Sequence, residues 1–299
     1  MRRTDLAAEA RELWGEGRTA EALPEGVEAD SGIRNGCRLE RLHIRTAAGA
    51  AALGKPVGEY VTVTPEALLR REEGSFGETA ALLASCLRRL LQPEPGGSVL
   101  VAGLGNEAVT PDALGPRAMR HVLATRHLVD ALPAQFGSFR RVSAVTPGVT
   151  GNTGFESAEL LRSLVRELRP CAVVTVDALA ARRLGRVCRT VQLTDTGVTP
   201  GSGVGNARQA LNRETLGVPV VAIGVPTVVD AGTLVSDLAE LANIGTFDSA
   251  DLGGFGQDMI LTPREIDAQI QELSRLIGYA IDMALQDGLT AADVTALIG

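Results

Sequence analysis

Two aspartates stand where a pair of carboxylates could share acid and base work. Asp112 falls in the run Val99 to Pro116, VLVAGLGNEAVTPDALGP, and Asp177 in Val173 to Arg182, VVTVDALAAR. Each run opens as a short apolar stretch with the character of a buried strand and reaches its aspartate as that stretch ends. Strand ends are where α/β proteins carry their chemistry, and two carboxylates in unlike surroundings divide proton donation from proton acceptance. If the two strands are neighbours, the pair forms one site. Taken singly, each aspartate has a plainer explanation. Asp112 would be a turn or cap residue, and Asp177 the cap of a helix over Ala178 to Arg182.

The glycine-rich loops around these runs have their own chemistry. Gly103 to Ala108 spells G-x-G-x-x-A, a near miss of the dinucleotide fingerprint. That fingerprint needs the loop to pass straight into a helix whose first turn holds pyrophosphate. Here Val109, Thr110 and Pro111 continue as loop, with a helix expected from about Pro116, so the glycines read as leaving room beside Asp112. Pro147 to Gly154 and Gly201 to Asn206 are two further Gly/Thr/Asn loops, and their amides are candidate donors to a carboxylate or oxyanion. Asp195-Thr196-Gly197 copies the D-T-G triplet of pepsin-like proteases. Those enzymes are all-β and use two triplets, so a single copy reads as chance; its carboxylate is expected on the same sheet edge as Asp177. Asn106, Thr153, Asp195 and Gly201 are thus candidate supporting or substrate-binding residues.

Other chemistries lack their residues. His43, His121 and His127 have no spaced second ligand, and neither H-E-x-x-H nor G-x-S-x-G occurs. Cys37, Cys86, Cys171 and Cys188 form no CxxC pair, which fits a reduced cytoplasmic compartment. No metal and no cofactor are expected. A net charge of −7 argues against general nucleic-acid binding and gives no attraction to anionic membranes. No apolar segment approaches the length of a membrane span. Lys55 is the only lysine, and nearly all positive charge is arginine.

The elements that must position the aspartates are legible from periodicity. Residues 4 to 15 have helical spacing, with Asp5, Glu9 and Glu12 expected on the solvated side. Arg38 to Thr46 and Gly58 to Thr64 alternate with period two and predict paired antiparallel strands. A long amphipathic helix follows over Glu78 to Leu91, stopped by Pro93, Pro95 and two glycines. From there apolar strands (SVLVAGL, RRVSAVTP, CAVVTVDAL, RTVQLTD, VPVVAIGVPT) alternate with helices near Pro116 to Thr125, Ser157 to Leu168, Ala178 to Arg182 and Gly232 to Leu241. A last long helix spans Pro263 to Gln286. This rhythm predicts an α/β fold, three-layer α/β/α with a mostly parallel central sheet, plus an N-terminal antiparallel strand meander. Residues 1–95 would be an addition to a 96–299 core within a single domain.

Seven ordered blocks, among them GLGNEAVTPDALGP, SAVTPGVTGNTGFE, VVTVDALAARRLGR, TDTGVTPGSGVGN and IGVPTVVDAGTL, resemble the germination proteases of spore-forming bacteria. The opening RTDLAAEA and the closing ILTPREIDAQIQELSRLIGYAIDMAL extend the likeness over almost the whole chain. The resemblance implies an endopeptidase of the spore-core cytoplasm that degrades small acid-soluble spore proteins early in germination. It implies a fold similar to that of hydrogenase maturation proteases, and catalytic aspartates at Asp112 and Asp177. The maturation enzymes add a histidine to engage nickel, and no histidine of this chain follows Asp177. Family substrates are cut beside a glutamate, which Arg126, Arg182 or Arg183 would read. Members are zymogens that shed a short N-terminal segment and assemble as homotetramers. Only Met1 and Arg2 precede the RTDLA block, so a different control of activity, or a misassigned start codon, is expected. A metal-dependent processing peptidase and a non-catalytic nucleotide- or peptide-binding module are the alternative readings.

Overall fold

The computed structural model describes residues 4–16, 23–242 and 259–298. Met1 to Arg3, on which the expectation about the amino-terminal segment rests, lie outside them, as do residues 17–22 of the Gly-rich stretch. Among the described residues nine strands form one sheet. They are β1 (Val27–Arg34), β2 (Cys37–Ile44), β3 (Gly58–Thr64), β4 (Val99–Gly103), β5 (Val142–Val145), β6 (Ala172–Ala181), β7 (Val191–Thr194), β8 (Val220–Asp230) and β9 (Ile260–Leu261). Their order is β1-β2-β3-β7-β8-β6-β4-β5, with β9 pairing the end of β8.

The α/β class is the one the periodicity implies, with a mostly parallel core and an antiparallel meander joined in one sheet. β8, β6, β4 and β5 form a parallel quartet. β7 lies antiparallel between β8 and β3 and joins the quartet to the meander as one continuous sheet. Chain length dictates this. Only residues 182–190 connect β6 to β7, fewer than the dozen or so that a parallel crossover needs.

Helices cover both faces. Val99 and Val101 of β4 and Val174 and Val176 of β6 face a core shared with the helices Ser75–Leu91, Leu114–Met119 and Ile266–Leu285. Leu100, Ala102 and Val173 point the other way, onto Ala158, Leu161 and Val165 of the helix Ser157–Leu168. Strand alternation thus feeds two separate cores. Among the described residues no helix is long and apolar enough to cross a membrane.

Two local expectations are overturned, and one strand was not expected. The helix expected over Ala178 to Arg182 is the second half of β6, because β8 runs on beside it. Ala178 pairs with Val225 and Leu179 with Pro226; past a register shift, Ala181 pairs with Val229. β1 was not foreseen, although Asn35 (φ 49°) and Gly36 (φ 65°) form the two-residue Asn-Gly turn that marks a hairpin. Asp5 and Glu9 are not on a solvated side. Glu9 is completely buried and accepts the backbone N–H groups of Arg182 (2.7 Å) and Arg183 (2.9 Å), as well as the hydroxyl of Thr4. It holds the helix Ala7–Gly15 against the end of β6. Glu9→Ala strands the buried Arg182 N–H and the part-buried Arg183 N–H and is expected to cost about 2–4 kcal/mol in urea unfolding.

Asp282, in the last long helix, is a second buried carboxylate. One oxygen accepts Leu123 N–H at 2.9 Å and the other has no partner among the described residues. Burial pushes its pKa up to about 8. Between about pH 4 and pH 8 the folded chain therefore keeps a proton that the unfolded chain releases, and stability falls as pH rises through that window. Asp282→Asn keeps the Leu123 bond without the titration. Urea midpoints should show it more stable than the parent by a few kcal/mol, on the order of the pKa shift, at pH 8.5. The advantage should shrink toward pH 4.

Candidate active site

β4 and β6 are direct neighbours, with Gly103 opposite Val176 and the Leu104 N–H still bonded to the Val176 carbonyl at 2.8 Å. The strand that leads to Asp112 and the strand that carries Asp177 are therefore adjacent. Asp177 does not end its strand; it is the next residue after the point where β4 stops, and opposite Gly224 of β8. The end of β4 therefore leaves it at a step in the sheet.

Asp112 reaches this step through a close-packed turn. After Leu104 the chain passes Gly105 (φ 114°), forms a 3-10 turn over Thr110–Asp112 and starts the helix Leu114–Met119. A Cβ on Gly105 would lie 2.0 Å from the Asp112 carbonyl oxygen. One on Gly115 would lie 2.2 Å from Leu104 O and 2.5 Å from Val176 O. These glycines let the helix start sit directly on the strand ends. No helix follows Gly103 to Ala108 directly, so the near fingerprint lacks the helical N-terminus that a pyrophosphate needs.

The two carboxylates differ in surroundings. Asp177 is 5% exposed, and its Oδ1 accepts only the Ala178 N–H, at 3.0 Å. Burial first, then the charges of Asp112 and Asp5, hold its carboxyl well above the usual carboxylate range. Asp112 is half-buried and is raised by burial, but its Oδ2 accepts the Asn106 N–H at 2.7 Å, which favours the ionised form. No cation among the described residues offsets either charge.

The other candidates fall into two groups. Asn106 belongs to the site, donating its N–H to Asp112 and accepting at Oδ1 from Ala108 N–H. Asn152 approaches the same oxygen at 3.5 Å, which brings the 147–154 loop alongside. That loop contains a one-turn helix, Thr150–Thr153, and the Thr153 hydroxyl is spent on Val149 O and Phe155 O. Gly201 (φ 72°) closes its loop on itself, since Val204 and Asn206 both donate to Gly201 O. Several amides of the two loops, among them those of Asn152, Thr153, Gly154, Val204 and Asn206, are thus used within their own turns.

Asp195, Arg126 and Arg182 are not brought to the aspartates. β7 runs antiparallel to β8, so Asp195 leaves the sheet at the opposite edge and caps Glu59 N–H at 2.8 Å. Direction, not composition, separates it from Asp177. Arg126 lies beside Val142 to Ala144 of β5 with Asp130. Arg182 is wholly buried, with its guanidinium 3.0 Å from Glu16, and is not presented to a substrate. Arg183 pairs with Glu12 at 3.2 Å.

What sequence reasoning missed is Asp5. Its backbone N–H and carboxylate both bond Ala180 of β6, and its other oxygen takes the Ser202 hydroxyl at 2.7 Å. The amino-terminal segment is therefore built into the site's wall. Its place in the RTDLAAEA block was the available signal.

Among the described residues no three His, Cys, Asp or Glu side chains are grouped as a metal ion would need.

A parallel α/β quartet with two aspartates set against its step defines the class, an α/β protein. The chain belongs to the germination protease family, whose model matches residues 5–244, and it is a protease. It is 42% identical to the germination protease of Caldanaerobacter subterraneus subsp. tengcongensis, over 99% of this chain and 98% of that one. It is 36% identical to that of Clostridium perfringens, over 99% and 98%. The NiFe hydrogenase maturation protease HycI of Thermococcus kodakarensis KOD1 superposes with a TM-score of 0.34 at 18% identity, covering 64% of this chain and 98% of that one.

Proposed function

We propose that this endopeptidase of spore germination opens small acid-soluble spore proteins in the spore core, as a homotetramer, and that Asp112 and Asp177 carry the hydrolysis. The observation behind the division of labour is the contrast between them. Asp177 is buried with no cation and is held protonated by burial and by its neighbour's charge. Asp112 has a backbone N–H on its carboxylate. Asp112 takes a proton from water, and the water oxygen adds to the scissile carbonyl carbon. Asp177 donates its proton to the developing oxyanion; Asp112 then passes the proton it took from water to the leaving amine as the C–N bond breaks, and Asp177 recovers its proton from the hydroxyl as the carbonyl re-forms. Two like charges side by side cannot both ionise easily, which keeps one proton in the pair.

The test is direct. Purified full-length chain, incubated with a small acid-soluble spore protein, should give a few discrete fragments by intact mass. The rate should be unchanged after EDTA treatment. An uncut substrate would overturn the reading. Loss of activity with chelator, restored by nickel or zinc, would favour the metal-dependent alternative. Sedimentation should give four times the chain mass.

A further inference from the structure

β4 stops at Gly103, whereas β6 runs on to Ala181. One flank of β6 therefore loses its neighbour partway along. In a parallel ladder each residue directs its N–H and its carbonyl to one side, and successive residues alternate. The Val176 carbonyl accepts the Leu104 N–H from the β4 side, and the Val173 N–H goes to Pro219 at the start of β8. Even-numbered residues of β6 thus face β4 and odd-numbered ones face β8. Ala178 and Ala180 face the flank that β4 has left.

Ala180 is already occupied. Its carbonyl accepts the Asp5 N–H at 3.1 Å, and its own N–H goes to the Asp5 carboxylate at 2.9 Å. Asp5 thus stands in for a neighbouring strand over one residue. Between Leu104 and Asp5 only Ala178 remains on this flank. Its N–H turns onto Asp177 Oδ1 at 3.0 Å, and no strand among the described residues lies beside its carbonyl. Ala178 is also the one residue of β6 that is not buried. A strand carbonyl in that position is satisfied by solvent or by an incoming chain.

Three loops rim the opening, and each exposes a large apolar side chain, Val109, Phe155 or Val204. The first loop leads to Asp112, the second meets Asn106 through Asn152, and the third is tied to Asp5 by Ser202. An unpaired strand flank with an apolar rim suits an extended polypeptide, which sets its main chain on the strand and its side chains on the loops.

We propose that the substrate's main chain enters as a short added strand on β6, in the place that β4 leaves, and that the Ala178 carbonyl accepts a backbone N–H beside the cut bond. This rests on the reading that Asp112 and Asp177 cut the chain. Ala178 follows Asp177 directly, so register on β6 decides which peptide bond meets the carboxylates. Only a segment free of its own secondary structure can enter.

The test reads binding rather than cleavage. Full-length Asp112→Asn protein is titrated with a labelled short peptide spanning a bond that is cut in a small acid-soluble spore protein. Its backbone amides are replaced one at a time by esters, which remove the N–H and keep the side chain. One ester within about two residues of the cut bond should weaken Kd about five- to tenfold. Leu179→leucic acid makes the Ala178 carbonyl an ester carbonyl, a weaker acceptor. In that protein the amide-over-ester preference should fall to about twofold, since the lost Leu179 N–H affects both peptides alike and cancels. Should that protein not fold, hydrogen exchange of the bound peptide decides, and the same amide should be slowed at least about tenfold. The absence of a sensitive amide near the cut bond, a preference unchanged by Leu179→leucic acid, or unslowed exchange there would each overturn the proposal. So would peptide affinity that falls as protein concentration rises, which would mean that a second copy fills the opening. If Asp112→Asn still hydrolyses a spore protein, the catalytic reading fails, and the ester scan still judges the pairing.

Discussion

Asp177→Asn is expected to lower kcat about a thousand-fold on a small acid-soluble spore protein, with the unfolding midpoint held or raised. The two halves of that outcome come from one fact. Asp177 is buried without a cation, so its charge is unwelcome in the fold, and a neutral amide removes a liability while removing the proton donor. Asp112→Asn should lower kcat by a similar factor, because asparagine still accepts the Asn106 N–H but takes no proton from water. The pair acts as a unit, so the double variant should be scarcely worse than either single one. The pH profile of kcat separates the roles. Activity should rise as Asp112 ionises and fall as Asp177 loses its proton, with both limbs belonging to the coupled pair. Unchanged cleavage by either folded variant would end the two-aspartate reading.

Gly115→Ala is expected to be among the most damaging single methyl groups that can be added near the site. The new Cβ would meet Leu104 O at 2.2 Å, Leu104 N at 2.5 Å and Val176 O at 2.5 Å, all of them backbone atoms of the paired strand ends. Flexible side chains can turn away from such a clash, but a hydrogen-bonded ladder cannot. The helix Leu114–Met119 would have to lift, carrying Asp112 off the step beside Asp177. A cost of about 3 kcal/mol or more in urea unfolding should accompany loss of cleavage. Gly151→Ala is the contrast, since nothing lies within 4 Å of its Cβ and its φ is ordinary. It should leave stability unchanged or slightly raised. Equal behaviour of the two variants would refute the close-packing account.

Parts of the fold that depend on a segment's own residues were legible. The helix Ser157–Leu168 lies where its periodicity puts it, and the strands β4, β6 and β8 show as apolar runs. Parts that depend on a distant partner were not. Ala178 to Ala181 are composed like a helix, yet β8 supplies a ladder alongside, and pairing outweighs intrinsic preference. Asp195 looked like a neighbour of Asp177 because composition carries no strand direction. Glu9 looked solvated because helical spacing cannot show that two N–H groups at the end of β6 need an acceptor. The aspartates themselves stood out through the apolar runs before them, whereas the open flank at Ala178 was hidden in a stretch composed like a helix.

The order of synthesis gives the docking of Asp5 and Glu9 on β6 a further meaning. These bonds join residues 175 and 173 positions apart, and the amide of Ala7 reaches Gln192 across 185. This segment is made well before β6 and β7 and therefore has no surface to land on until most of the chain has followed. Its buried positions Leu6, Ala7 and Ala10 stay uncovered throughout that wait. Contacts this distant close slowly and favour interim association with other chains. The wall of the site that holds the sole tryptophan is thus fitted among the last, and its emission on refolding should be a late signal, following the recovery of helix and sheet.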